Sequence, residues 1–121
     1  ISTCVRILSA LEQQTITAAI NTEVLQELLY RYSHIQMMDK GIQLCRNILR
    51  YPLTVFPITQ TEIELALTFL AEPPVSALKP RDAIHAATMR SYNMTHILSA
   101  DRHFDHFPHL ERIDPLRFFS S

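Results

Sequence analysis

Apolar positions along this chain switch between helical and strand spacing, and the switches mark out its elements. Cys4, Val5, Leu8 and Leu11 recur at helical spacing after Ser2 and Thr3, either of which can cap, so an amphipathic helix opens the chain with no strand before it. Residues 15–20 (TITAAI) are short and β-branched and predict a strand. Asn21 and Thr22 follow as a cap. From Glu23 a second helix would turn Val24, Leu25, Leu28, Leu29, Tyr32 and Ile35 inward. A third is expected from Asp39 as cap to Tyr51, with Ile42, Cys45, Ile48 and Leu49 as its stripe and Pro52 as its stop. Residues 53–58 (LTVFPI) read as another strand, at an edge because of Pro57. Thr59 with Glu62 three residues on is a capping-box pattern, opening a helix through Leu65, Ala66, Phe69 and Leu70 to the Pro73-Pro74 break.

Residues 79–105 (KPRDAIHAATMRSYNMTHILSADRHFD) organise the rest. Pro80 suits the first helical position, where an N–H would be unpaired anyway, and good helix formers continue to Met89. Asn93, Met94 and Thr95 make a break, after which residues 96–100 (HILSA) are too short and apolar for a surface helix and read as a buried parallel strand. Asp82 to the helix end near Tyr92 is about 15 Å at the helical rise, and His96 to Asp101 is about 16.5 Å at the strand rise. The two climbs nearly cancel, so Asp82 and Asp101 should meet at the carboxyl edge of the sheet, where open α/β proteins place ligands. Each aspartate alone also has a structural reading, Asp82 with the helix dipole and Asp101 as a turn initiator. Beyond Asp101, Phe104 and Phe107 are expected to plug under the sheet, and residues 110–113 form a last short strand before Asp114-Pro115. Alternation of strands with helices predicts an α/β fold, a mostly parallel sheet with helices on both faces.

Composition narrows this picture. The 121 residues, 47% apolar with a single glycine, suit one compact, helix-rich domain over 1–121. A formal net charge of −1 provides no global basic field for a nucleic acid, so a polyanion would be held by local charges or a metal. Cys4 and Cys45 lie in patterned helices as core residues, without metal-ligand spacing, and a reducing cytoplasm is the expected compartment. No apolar run approaches a membrane span, and no signal segment opens the chain.

A helix following a parallel strand starts at that strand's carboxyl edge, which brings Glu23 and Glu27 to the edge shared by Asp82 and Asp101. Three or four carboxylates there form an oxygen-only site suited to Mg2+ or Mn2+ and hence to phosphodiester hydrolysis, in which the metal activates water and offsets charge. These residues resemble a known family. Residues 22–27 (TEVLQE) after a short strand, 81–87 (RDAIHAA) opening a helix and 98–105 (LSADRHFD) ending a strand are similar to a PIN domain, most of all the ribonuclease toxins of VapC type.

The resemblance implies a Mg2+- or Mn2+-dependent endoribonuclease, the toxin of a toxin–antitoxin pair, with Glu27, Asp82 and Asp101 as metal-binding catalytic acids and Asp105 as an accessory metal ligand. It also implies an RNA substrate, a small antitoxin covering the acidic edge, and a homodimer. Family members begin with a central strand ending in an aspartate, to which nothing here corresponds. The expectation is that the natural chain begins upstream of Ile1 with that strand, and that residues 1–121 alone fold poorly. A non-catalytic binding module of the same fold, and a metal-dependent phosphohydrolase, are the alternatives.

Other residues keep two readings. His103, His106 and His109, three apart, are compatible with a zinc site or a polar surface loop. His85, one turn from Asp82, orients it or packs; Arg81 and Arg102 hold RNA phosphates or pair with the acids.

Overall fold

The computed structural model describes residues 3–72 and 78–118, and the Pro73-Pro74 break lies outside them, as do the side chains of Cys4 and His106. The chain forms two compact units, 1–57 and 58–121. Both mix helices with short parallel strands, and none of the described helices is long and apolar enough to cross a membrane.

In the first unit α1 (Thr3–Glu12) turns Ala10 and Leu11 inward. Strand β1 (Ala19–Asn21) is shorter and later than residues 15–20 predicted. The reason is local. Gln14 takes the left-handed conformation (φ 58°), and the Thr15 N–H and Oγ1–H both donate to the Ala10 carbonyl, at 3.0 and 3.2 Å. The β-branched run thus begins by closing a helix. The expected cap is present: Asn21 is extended, and its Oδ1 accepts from the Val24 N–H at 3.2 Å to start α2 (Thr22–His34).

Ile35, expected inward, is instead the residue that ends α2, and it is 60% exposed. Gln36 follows in the left-handed region (φ 58°), and the Met37 N–H returns 2.8 Å to the Tyr32 carbonyl. That closure makes Met37, not Asp39, the cap of α3 (Met38–Ile48) and leaves Asp39 in the first turn, where its charge favours the helix dipole. Helix α3 presses Gly41 onto α2 so closely that a Cβ there would lie 2.8 Å from Tyr32 Cβ. Cys45 is buried, its Sγ 3.7 Å from the Leu25 carbonyl. Strand β2 (Thr54–Phe56) pairs parallel with β1, Ala19 opposite Thr54.

In the second unit the predicted capping box opens α4 (Gln60–Ala71): the Glu62 carboxylate accepts from the Thr59 N–H and hydroxyl, both at 2.7 Å. Pro80 begins α5 (Pro80–Ser91) as expected. Ala66 of α4 meets Ala83 and Ala87 of α5 in a buried seam flanked by Leu65, Phe69, Leu78 and Ile84. Such small residues let the two helix backbones come close. Asn93 (φ 57°) closes α5, with the Met94 N–H donating to the Met89 carbonyl at 2.8 Å. Strand β3 (His96–Leu98) then pairs parallel with β4 (Glu111–Ile113). Between them lies a 3-10 helix (Arg102–His106), and a second one (Pro115–Arg117) follows β4. The parallel pairing predicted from the pattern is observed, as two separate two-stranded sheets, but β3 is not the buried strand expected, since His96 and Leu98 are exposed with β4 as its partner.

Candidate metal centre

Asp82 is the third residue of α5, so its carboxylate lies in the favourable field of the helix N-terminus. It is 3% exposed, and its Oδ2 finds no hydrogen-bond partner among the described residues. A buried carboxylate oxygen without a donor costs about 1–3 kcal/mol or more, and a cation facing it would offset that cost.

Asp101 reaches the same place from the end of β3. Its N–H donates to Ser99 Oγ at 3.0 Å, and its Oδ1 accepts from the His103 N–H at 2.9 Å, which caps the 3-10 helix. The expected turn-initiating role and proximity to Asp82 therefore coexist in one residue. The turn is anchored from beneath: Phe104 and Phe107, both 5% exposed, bury with Ala86 of α5 and pack on Phe69, Leu78, Ile97 and Leu110. They are the plugs expected from the pattern, and they fasten the turn that bears Asp101 to the helix that bears Asp82.

One ligand atom each from Asp82, Asp101 and His103 lie within 4.8 Å of one another. His103 Nδ1 is 2.9 Å from Asp101 Oδ1 but lacks hydrogen-bond alignment, so this is a close contact between two part-exposed side chains. Two oxygens and a nitrogen set around an unsatisfied buried carboxylate fit a divalent cation.

The other candidates make contacts of their own. Glu27 belongs to the first unit, on α2, where its Oε1 accepts from Arg31 at 2.9 Å. Asp105 accepts from Arg112 Nε at 2.9 Å, and Arg112 also donates to the Ser99 carbonyl at 3.1 Å, tying β4 to the turn. His109 stacks on Phe69 with centroids 5.7 Å apart and lies 3.2 Å from the Ala86 carbonyl. Since a carbonyl only accepts, His109 Nε2 carries the proton there and the ring is a packing residue. His103 and His109 thus serve different surroundings. His85 lies against Phe104, centroids 6.5 Å apart. Sequence reasoning missed His103 as a neighbour of the acids because it grouped the histidines by their spacing of three. The signal was Asp101-Arg102-His103, since an aspartate whose side chain accepts the N–H two residues on holds that residue beside its carboxylate.

A family model for the PIN domain matches residues 3–110. The chain is similar to the VapC ribonuclease Mb1869c of Mycobacterium bovis, 33% identical over 93 residues that cover 77% of this chain and 70% of that protein. It is similar to the Ribonuclease VapC13 of Mycobacterium tuberculosis to the same extent, 33% over 93 residues, 77% and 70% of the two chains. No solved structure matches it significantly. The family match takes in α4, the helix of Asp82 and the turn of Asp101 and His103, and the chain belongs to the PIN domain family.

Proposed function

We propose that this chain is a Mg2+- or Mn2+-dependent endoribonuclease and the toxin of a toxin–antitoxin pair, with Asp82 and Asp101 holding the metal and Glu27 joining them as the resemblance implies. The observation that carries the reading is the buried, unpaired Asp82 Oδ2 beside Asp101, in a chain whose relatives are named as VapC ribonucleases. When bound, a divalent ion supplies activation of water and charge compensation at a phosphodiester.

The residues of the chain do the positioning. Asp82 is fixed by burial in the first turn of α5, whereas Asp101 and His103 have side chains 41% and 37% exposed, open to the solvent from which a substrate would approach. Arg102, exposed and next to Asp101, is suited to an RNA phosphate, and the half-buried Arg81 precedes Asp82. Asp105, an accessory ligand by resemblance, exchanges its Arg112 partner for the metal in this reading. A small antitoxin covering the acidic edge, a second copy of the chain and a cytoplasmic setting complete the proposal.

The test is cleavage of RNA by the full-length protein. Cleavage should require Mg2+ or Mn2+, stop with EDTA, and fall by about 100-fold or more on Asp101→Ala, at or beyond the top of the range for groups that only support a ligand. Cleavage that persists under chelation would sink the reading.

A further inference from the structure

Among the described residues, two side-chain polar atoms are buried without a hydrogen-bond partner, Asp82 Oδ2 and His103 Nδ1. Both belong to a cluster, with Asp101, whose ligand atoms lie within 4.8 Å of each other. His103 Nδ1 stands 2.9 Å from Asp101 Oδ1 without a hydrogen bond to it, and a single cation reached by Asp82 Oδ2, Asp101 and this nitrogen would satisfy the buried carboxylate oxygen and the ring together. Around a six-coordinate ion with bonds of about 2.1 Å, ligand atoms stand about 3.0 Å apart when adjacent and about 4.2 Å when opposite. The cluster is near that size. Asp82 is 3% exposed and fixed, whereas the part-exposed Asp101 and His103 side chains have room on their solvent side to close the remainder.

From this we infer that His103 is a direct nitrogen ligand of the metal, which makes the centre mixed oxygen and nitrogen and biases it toward Mn2+ over Mg2+. The inference rests on the proposal that a metal binds at Asp82 and Asp101, and it adds a ligand and a selectivity to it. Mg2+ is a hard cation that keeps oxygen ligands and water, and an imidazole gains it little. First-row transition ions accept imidazole readily, so a nitrogen donor strengthens Mn2+ binding selectively. The sequence position explains why this ligand is available: the Asp101 side chain holds the His103 N–H at 2.9 Å, so the turn that presents the carboxylate presents the ring too.

The experiment uses the full-length protein and MnCl2 or MgCl2 alone, without RNA. Calorimetric dissociation constants are measured for wild type, His103→Ala and Asp101→Ala, and pulsed electron paramagnetic resonance of bound Mn2+ reads any directly coordinated nitrogen. We expect a nitrogen modulation in wild type that changes when the protein is grown with 15N-histidine, a readout that needs no variant to fold. His103→Ala should lose the modulation and weaken Mn2+ by about tenfold or more, while Mg2+ changes by no more than about twofold to threefold. If Mn2+ binds in a manner abolished by Asp101→Ala but without histidine nitrogen coupling, the ligand role of His103 is wrong and the metal site stands. If Mn2+ does not bind at all, both are wrong.

Discussion

At Asp82 two opposed terms decide what a substitution does. Replacing its charge forfeits about 0.3–1 kcal/mol of interaction with the α5 N-terminus. Asparagine there removes the repulsion from Asp101 and exchanges a buried oxygen without a donor for an amide able to donate toward the Asp101 carboxylate, a term of about 1–3 kcal/mol. Relief wins, so Asp82→Asn should melt at or above the wild-type temperature in metal-free buffer and show no stabilisation by added Mn2+. In wild type the metal at 100 times its dissociation constant should add about 2.7 kcal/mol. A thermal melt with and without Mn2+ reads both, and a marked drop in Tm of the metal-free variant would make Asp82 a purely structural acid. Gly41 shows the opposite sensitivity. A Cβ there would meet Tyr32 Cβ at 2.8 Å, and neither atom can swing away, so Gly41→Ala should cost about 1–3 kcal/mol in denaturant unfolding despite its better helix propensity.

Among the elements, α4 depends most plainly on a titrating group. The Thr59 hydroxyl, then the Thr59 N–H, hold the Glu62 carboxyl below its usual range, with a smaller contribution from Ser91 and burial opposing them. A carboxyl depressed in the folded state contributes stability that is complete above its unfolded pKa and is lost as pH falls through the lower folded value. Melting temperatures between pH 7 and pH 3 should therefore fall less steeply for Glu62→Gln than for wild type, the two curves converging in acid. Parallel curves would mean that the capping box stays intact when protonated. This cap, the Pro80 start of α5 and the Asn21 cap of α2 were all readable in advance, because each is made by residues within three positions of one another. The start of β1 was not. Thr15 looks like a strand residue by propensity, but its N–H and hydroxyl both close α1 on the Ala10 carbonyl, and local hydrogen bonding overrode a weak preference.

For the whole molecule, 11 basic against 12 acidic residues leave few cations to displace counterions from RNA. Binding to RNA measured by fluorescence anisotropy should weaken with salt along a shallow slope, corresponding to about two phosphate contacts if Arg81 and Arg102 make them. A slope of the size seen for strongly basic proteins would point to a cationic groove made elsewhere on the chain.

Fold class and the meeting of Asp82 with Asp101 could both be deduced without coordinates, for one physical reason: a helix and a strand of matched length, joined by a short break, must return to the same end. Periodicity and rise per residue contain that information. His103 required the folded turn. Its ring comes to the acids because Phe104 and Phe107 sink against Ala86 while Asp101 takes the His103 N–H, and no pattern of spacing encodes that His103 meets the acids whereas His109 packs on Phe69. The stacking of His109 on Phe69 was equally hidden, since it joins residues 40 positions apart through the α4–α5 seam. Local hydrogen bonds and element lengths are written along the chain; which side chain fills which gap is settled only when non-local surfaces meet.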